Sequence, residues 1–141
     1  MERTLILVKP DAMNRQLGGA ILDLLQKSGL KLVALKMLRL DEKLGRQHYA
    51  AHVDKSFFPD LLKYMTSAPI IAAVFEGPGA VELARKTMGA TNPAKADPGT
   101  IRRDYGLDIQ QNSVHGSDSP ATAATEIKLF FKDNEIFNQA G

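Results

Sequence analysis

Apolar residues in this chain repeat with two different periods. Leu5-Ile6-Leu7-Val8 is a short β-rich run cut off by Lys9-Pro10-Asp11, which predicts a buried strand ending at Lys9. Gly18-Gly19 is followed by Ala20, Ile21, Leu24 and Leu25 at helical spacing, and that helix should stop near Ser28-Gly29. From Leu30 to Leu40 apolar positions interleave with Lys31, Lys36 and Arg39, as a long second strand requires. Asp41 is placed to cap a helix running through His48 and Tyr49. A second short helix follows Phe58-Pro59, with Leu61, Leu62 and Met65 inward. Ile70 to Phe75 reads as a third strand, Gly77-Pro78-Gly79 as a turn, and Val81, Leu83, Ala84 and Met88 as a helix face. Residues 89–111 are polar and broken by Gly and Pro, which predicts a long loop of the kind usually tied to function. Asp118-Ser119-Pro120 opens a final helix carrying Ile127, Leu129, Phe130 and Phe131.

With a short strand near Gln111 to Val114, the order becomes β-α-β-β-α-β. That is the α+β, ferredoxin-like arrangement: a four-stranded antiparallel sheet, an added helical hairpin and a long loop before the last strand. At 141 residues, with no repeat or linker, the chain is expected to form a single domain over 1–141.

Composition narrows the chemistry by exclusion. There is no cysteine, so disulfides, thiolate metal sites and cysteine nucleophiles are ruled out. A net charge of +2 is too small to imply a polyanionic partner. No segment has the length of a membrane span. The N-terminal apolar run of four is too short for a signal-peptide core, so the expected location is cytoplasmic.

The most informative stretch is Asn112-Ser113-Val114-His115-Gly116-Ser117-Asp118. It sets one histidine between an amide and a hydroxyl, and an imidazole near neutral pH is both base and nucleophile. Gly116 is read as clearing bulk from one side of the ring, and Ser117 and Asp118 as holding the ring or capping the next helix. Other motifs dissolve on inspection. Asp104-Tyr105-Gly106 lacks every companion of a protein-kinase metal tripeptide, and no P-loop is present. His115, Ser117 and Asp118 carry the letters of a hydrolase triad without a nucleophile elbow. His48 and His52 stand at i and i+4 like half a zinc site, but with no third ligand a solvated helix face is preferred. Taken one at a time, Phe57 and Ile109 read as core, Arg85-Lys86 and Arg102-Arg103 as solvated faces, Lys9 as a strand-end charge and Glu126 as a helix-surface carboxylate.

Taken together, these positions have another meaning. Lys9-Pro10-Asp11, Tyr49, Phe57-Phe58, Arg85, Thr91-Asn92-Pro93, Gly99-Thr100-Ile101-Arg102, the 112–118 stretch and Glu126 follow one another as they do in nucleoside diphosphate kinases. The chain resembles that family over essentially its whole length. The resemblance implies ping-pong transfer of the γ-phosphate of ATP or another nucleoside triphosphate to His115, then to a nucleoside diphosphate. It implies phosphate contacts from Lys9, Arg85, Thr91 and Arg102, sugar contacts from Lys9 and Asn112, and Tyr49 near the nucleophile. Phe57, Leu61 and Ile109 would border the base, and Ser117 and Glu126 would orient His115. Mg²⁺ would be carried on the nucleotide phosphates rather than by protein ligands. Homo-oligomers are implied, tetramers or hexamers built from dimers; a nucleic-acid partner is not. Ser56 departs from the proline that commonly precedes the Phe-Phe pair, and Ala68 from a common glycine. The ten residues after Phe131 are a shorter tail than many members carry.

Two rival readings leave their marks elsewhere. A nucleic-acid module on this fold needs aromatics on its central strands, and Leu5–Val8 and Leu30–Leu40 have none. An inactive scaffold would have lost His115, Lys9 or Arg102, and all three are present.

Overall fold

The computed structural model describes residues 1–137. Residues 138–141, the end of the tail after Phe131, lie outside them. Four strands form one antiparallel sheet: β1 (Glu2–Val8), β2 (Lys31–Leu38), β3 (Ile70–Gly77) and β4 (Val114–Gly116), in the order β2-β3-β1-β4. β1 is central because Leu5 to Val8 can be buried on both faces, and all four are fully inaccessible.

The period-2 alternation sorts the sheet into two cores. Leu5 and Leu7 face a cluster with Phe58, Met65, Ile127 and Phe130. This side carries α3 (Glu42–His48), α4 (Phe58–Met65) and α7 (Pro120–Phe130). Ile6 and Val8 face Ile21, Leu25, Ala84 and Met88, on α2 (Gly18–Lys27) and α5 (Ala80–Met88). The two short helices α1 (Pro10–Asn14) and α6 (Ile101–Tyr105) add Ala12 and Ile101 to that second core.

Local chemistry explains the boundaries. Asp41 accepts a 2.7 Å hydrogen bond from the Leu44 amide and starts α3 as its sequence position requires. α7 is capped by Ser119, whose hydroxyl accepts from the Thr122 amide at 3.1 Å. With Ser119 at the cap position, Asp118 stands one residue outside the helix and is not the structural cap the sequence predicted. β2 contains a bulge between Leu32 and Ala34, so both Val33 and Ala34 are buried. Beyond it the alternation leaves Leu35 and Met37 on the edge strand 51% and 65% exposed.

Three further expectations are revised. Residues 89–111 are not one loop, since Thr100 caps α6 through the Arg103 amide and a 3₁₀ turn spans Pro93–Lys95. β4 begins at Val114 rather than Gln111, which puts His115 inside the strand opposite Leu7. Gly116 does not clear space for the imidazole. A side chain there would strike Met88 Sδ at 2.7 Å, on the opposite face of the strand from His115.

Candidate active site

One cleft of about 770 Å³ is lined by Lys9, Tyr49, Phe57, Leu61, Arg85, Thr91, Arg102, Ile109, Asn112, His115 and Glu126. Ser117 lies behind it, bonded to Glu126. Every site residue expected from the sequence is therefore in the cleft or touching its wall.

His115 reaches this side because it pairs with Leu7, whose side chain belongs to the core under α3, α4 and α7. Glu126 reaches it from α7. Ala123, Glu126, Ile127 and Phe130 are the buried positions of that helix, so the carboxylate occupies a core-facing stripe. Both Glu126 oxygens lie 3.2 Å from His115 Nε2. The Ser117 hydroxyl donates to Glu126 Oε1 at 2.6 Å and accepts from the Leu5 amide at 3.2 Å. Burial pushes the Glu126 pKa up, but His115 and Ser117 together more than offset it, and it settles below its ordinary value. A carboxylate facing Nε2 fixes the proton on that nitrogen. Nδ1, which has no hydrogen-bond partner among the described residues, is then the nitrogen with a free lone pair.

The cationic wall is equally built in. Lys9 is only 8% exposed at the end of β1. Its Nζ donates to Asn112 Oδ1 at 2.9 Å and to the Gln110 carbonyl at 3.1 Å. Burial, aided by the Arg102 charge, lowers its pKa to about 8. Arg102, buried on α6, donates to the Gly89 carbonyl at 3.1 Å and the Val114 carbonyl at 2.8 Å. Burial and the neighbouring Arg85 bring it to about 10. Asn112 in turn donates to the carbonyls of Thr91 and Ile109, both at 3.0 Å. The amide is thus a tie between two loops as well as a partner of Lys9.

Ser113 adopts φ +78°, and the Val114 amide bonds back to the Asn112 carbonyl at 3.0 Å, closing a tight turn just before His115. A non-glycine residue in that region costs about 1–3 kcal/mol and has to be held by its surroundings. The restraints are visible: Ser113 O accepts from the Lys9 amide at 2.9 Å, and Ser113 Oγ donates to Asp11 Oδ2 at 3.4 Å. Asp11 is also bonded by the Tyr64 hydroxyl. Nothing in the sequence marked Ser113 or Asp11 for this task.

The mouth of the cleft is different in character. Phe57 and Ile109 are 47% and 61% exposed, so neither is a core residue. Leu61 is buried beneath, and Arg85 and Thr91 are exposed. Arg103 and Lys86 are exposed, as expected.

His48 is the main correction. It does not sit on a solvated face: its side chain is 1% exposed. Its ring meets His115 edge-on at 4.7 Å and also packs on Tyr49 and Phe130. Its Nδ1 lies 3.6 Å from Glu126, yet burial, with the His115 charge, lowers its pKa to about 3. The contact is therefore between a neutral ring and a carboxylate, not an ion pair. The signal was available, since His48 follows Leu44 by four residues and Leu44 is on the inward face of α3. His52 is exposed, as expected, in a 3₁₀ turn at Ala50–His52. Tyr49 packs in the core with its hydroxyl lacking a partner among the described residues, and burial pushes its pKa up.

Among the described residues no helix is long and apolar enough to cross a membrane. A family model described as nucleoside diphosphate kinase matches residues 2–136. A nucleoside diphosphate kinase of Dehalococcoides mccartyi is 56% identical over 138 residues, covering 98% of this chain and 97% of that one. One of Archaeoglobus fulgidus is 51% identical over 98% of this chain and 91% of its own. Among solved structures, the halophilic nucleoside diphosphate kinase of Halobacterium salinarum in complex with CDP superposes with a TM-score of 0.96. It is 46% identical and covers 99% of this chain and 93% of its own. The Aquifex aeolicus enzyme gives a TM-score of 0.93 at 40% identity, covering 96% and 98%. A histidine held by a carboxylate in a cationic cleft and near-complete coverage by one family lead to the same place: the chain belongs to the nucleoside diphosphate kinase family.

Proposed function

We propose that this chain, acting as one domain, moves the γ-phosphate of a nucleoside triphosphate to His115 and from there to a nucleoside diphosphate, with ATP as the usual donor. The observation that carries the assignment is the way Glu126 engages His115 Nε2 and leaves Nδ1 with its lone pair. That lone pair attacks the γ-phosphorus. The bond to the β–γ bridging oxygen breaks, and the oxygen leaves with its electron pair on the diphosphate. The ring acquires positive charge as the phosphorus–nitrogen bond forms, and the Glu126 carboxylate stabilises it. A second diphosphate then reverses the sequence.

The transition state is loose, so most of the catalysis is positioning and charge. Arg102 and Lys9 hold phosphate oxygens from buried, pre-bonded positions, while Arg85 and Thr91 approach from the rim. Lys9 and Asn112 contact the sugar. Phe57 and Ile109 hold the base between two apolar surfaces over Leu61. Stacking accepts any base, which supports broad specificity. Tyr49 packs against the nucleophile's environment through His48.

Mg²⁺ fits this site only through the nucleotide. The cleft's lining carboxylates are Asp118 and Glu126, and Glu126 is already engaged by His115 and Ser117. Such a donor set does not hold a hard six-coordinate ion. Bound to the phosphates, Mg²⁺ supplies charge neutralisation there. The exposed Leu35 and Met37 on edge strand β2 favour assembly of subunits, as a tetramer or hexamer of dimers. A cytoplasmic setting suits substrates of this kind.

The test is direct. Incubated with γ-labelled ATP and Mg²⁺ without acceptor, the protein should become labelled by a bond stable in alkali and labile in acid. Adding any nucleoside diphosphate should discharge it as triphosphate. Equal labelling of His115→Gln would overturn the assignment.

A further inference from the structure

We propose that His48, His115 and Glu126 form a binding site for a divalent transition ion of borderline softness, Zn²⁺ in type, and that its occupancy silences the nucleophile. One ligand atom from each of the three residues lies within 4.8 Å of the others. Glu126 Oε2 is 3.2 Å from His115 Nε2 and 3.6 Å from His48 Nδ1. Tetrahedral Zn²⁺ with bonds of about 2.0–2.1 Å separates its ligand atoms by about 3.3 Å. Two edges of the tetrahedron are thus nearly formed, and the third pair of ligand atoms, within 4.8 Å, would have to draw together on binding. All three residues line the open cleft, which supplies an entry path and a fourth position for water or a phosphate oxygen.

A second observation points the same way. Both nitrogens of His48 are buried and have no hydrogen-bond partner among the described residues. A buried polar atom left without a partner costs about 1–3 kcal/mol and calls for an explanation. For Nδ1, the nitrogen that faces Glu126, a lone pair aimed at a metal position beside the carboxylate supplies one. Two imidazoles and one carboxylate with an open position is a zinc-type donor set. It is unsuited to Mg²⁺, which takes oxygen ligands in octahedral array.

The consequence for chemistry follows from the tautomer. A metal on His115 Nε2 takes that lone pair, so the ring proton must sit on Nδ1. Nδ1 then has no lone pair for phosphorus. The silencing half of the proposal rests on His115 being the phosphoryl acceptor; the binding half does not.

The two halves separate experimentally. Metal-stripped full-length protein, free of nucleotide, is titrated with Co²⁺ and then with Zn²⁺. The expected result is the intense visible absorption of four-coordinate Co²⁺ at one ion per chain, bleached by Zn²⁺. His48→Phe, which keeps an aromatic ring in the pocket, and Glu126→Gln should each weaken Co²⁺ binding at least about tenfold. His52→Asn, on the exposed turn, should not change it. Weak octahedral absorption only, or loss of the signal in His52→Asn with retention in His48→Phe, would overturn the site. A circular dichroism spectrum unlike wild type in one ligand variant transfers the decision to the other. Zn²⁺ should then block formation of the labelled phosphoenzyme with Mg²⁺ in excess, and a chelator should restore it. Labelling undiminished at saturating Zn²⁺ would sink the silencing. Absence of label even in metal-free protein, with the Co²⁺ spectrum intact, would instead refute the kinase assignment and leave the site standing.

Discussion

Replacing Glu126 by glutamine removes one negative charge and little else. The side chain keeps its length, and α7 keeps the same atoms packed between Ala123, Ile127 and Phe130. Glutamine can accept from His115 Nε2 through its oxygen, at about the same 3.2 Å, while its amide turns toward Ser117. What is lost is the charge facing the imidazole as phosphorus bonds to Nδ1 and the ring turns positive. A hydrogen bond to a charged partner contributes about 1.5–3 kcal/mol. A full charge pair at about 4 Å and an effective dielectric of 20 gives about 4 kcal/mol, an upper limit because the ring charge is only partly developed. The expected loss is therefore about 1.5–3 kcal/mol of transition-state stabilisation, or about 10- to 100-fold in the rate of phosphoenzyme formation. Nucleotide affinity should stay within about threefold, because Glu126 touches no part of the nucleotide in the proposed mechanism. Rapid-quench measurement of a single turnover with labelled ATP separates the two quantities. A rate within threefold of wild type would refute the role given to the carboxylate. An affinity loss as large as the rate loss would show that Glu126 supports the pocket rather than the ring.

Three further outcomes follow from particular contacts. Lys9 has its pKa lowered to about 8, so its charge is present below that pH and lost above it. kcat/KM for nucleotides should fall above about pH 8, and Lys9→Arg should remove that limb even if activity is lower. The same shift acts oppositely on folding: the unfolded chain holds the proton to about pH 10.4, so stability rises between these values, by at most about 1.4 kcal/mol per pH unit. A pH-independent kcat/KM from 7 to 10 would contradict the assignment. Phe57→Ala should weaken binding of all four bases alike, by about 1–3 kcal/mol in equilibrium titrations, and selective loss of one base would count against stacking. Ser113→Gly relieves the φ +78° backbone at the cost of a long hydrogen bond to Asp11. The net gain should be about 1 kcal/mol, seen as a rise of about 2–4 °C in Tm, and a fall of that size would place the Asp11 contact above the strain.

The parts of the fold written in periodicity were readable. β1, β3 and α7 follow from runs and stripes that admit one reading, and Asp41 caps α3 because a short acceptor before an apolar period has few other uses. The errors fall where tertiary contacts decide. Ser119 takes the cap from Asp118 by backbone geometry that both residues could have supplied. Residues 101–105 become helix because Ile101 finds a place in the core and Thr100 caps the turn. His48 reads as a solvent-facing residue in the sequence because its partners, His115 and Phe130, are distant along the chain. The site residues were legible only as a set in order along the chain. Glu126 has nothing local to distinguish it from a surface carboxylate until its place on the 123/126/127/130 stripe is considered.

That distribution of buried and exposed groups bears on specificity. Where phosphorus would be exchanged, the buried groups are tied down before substrate arrives: Lys9 to Asn112 and Gln110, Arg102 to two carbonyls, Glu126 to Ser117. Ordering costs are met by the fold, so positions there hold to within the tolerance that in-line transfer demands. Where the base would lie, Phe57 and Ile109 stand exposed and offer surface rather than hydrogen-bonding groups. Such a surface cannot reject an incorrect base, because no buried donor or acceptor is left unpaired when one base replaces another. In the proposed mechanism, tolerance toward the base and exactness toward the phosphate would be two results of one gradient, running from the buried end of β1 and β4 to the rim of the cleft. Introducing one buried hydrogen-bonding side chain beneath Phe57, at Leu61, would break the gradient. Leu61→Gln should make the enzyme discriminate among bases while leaving the rate of phosphoryl transfer from a saturating, accepted nucleotide largely unchanged, and equal loss for every base would argue against it.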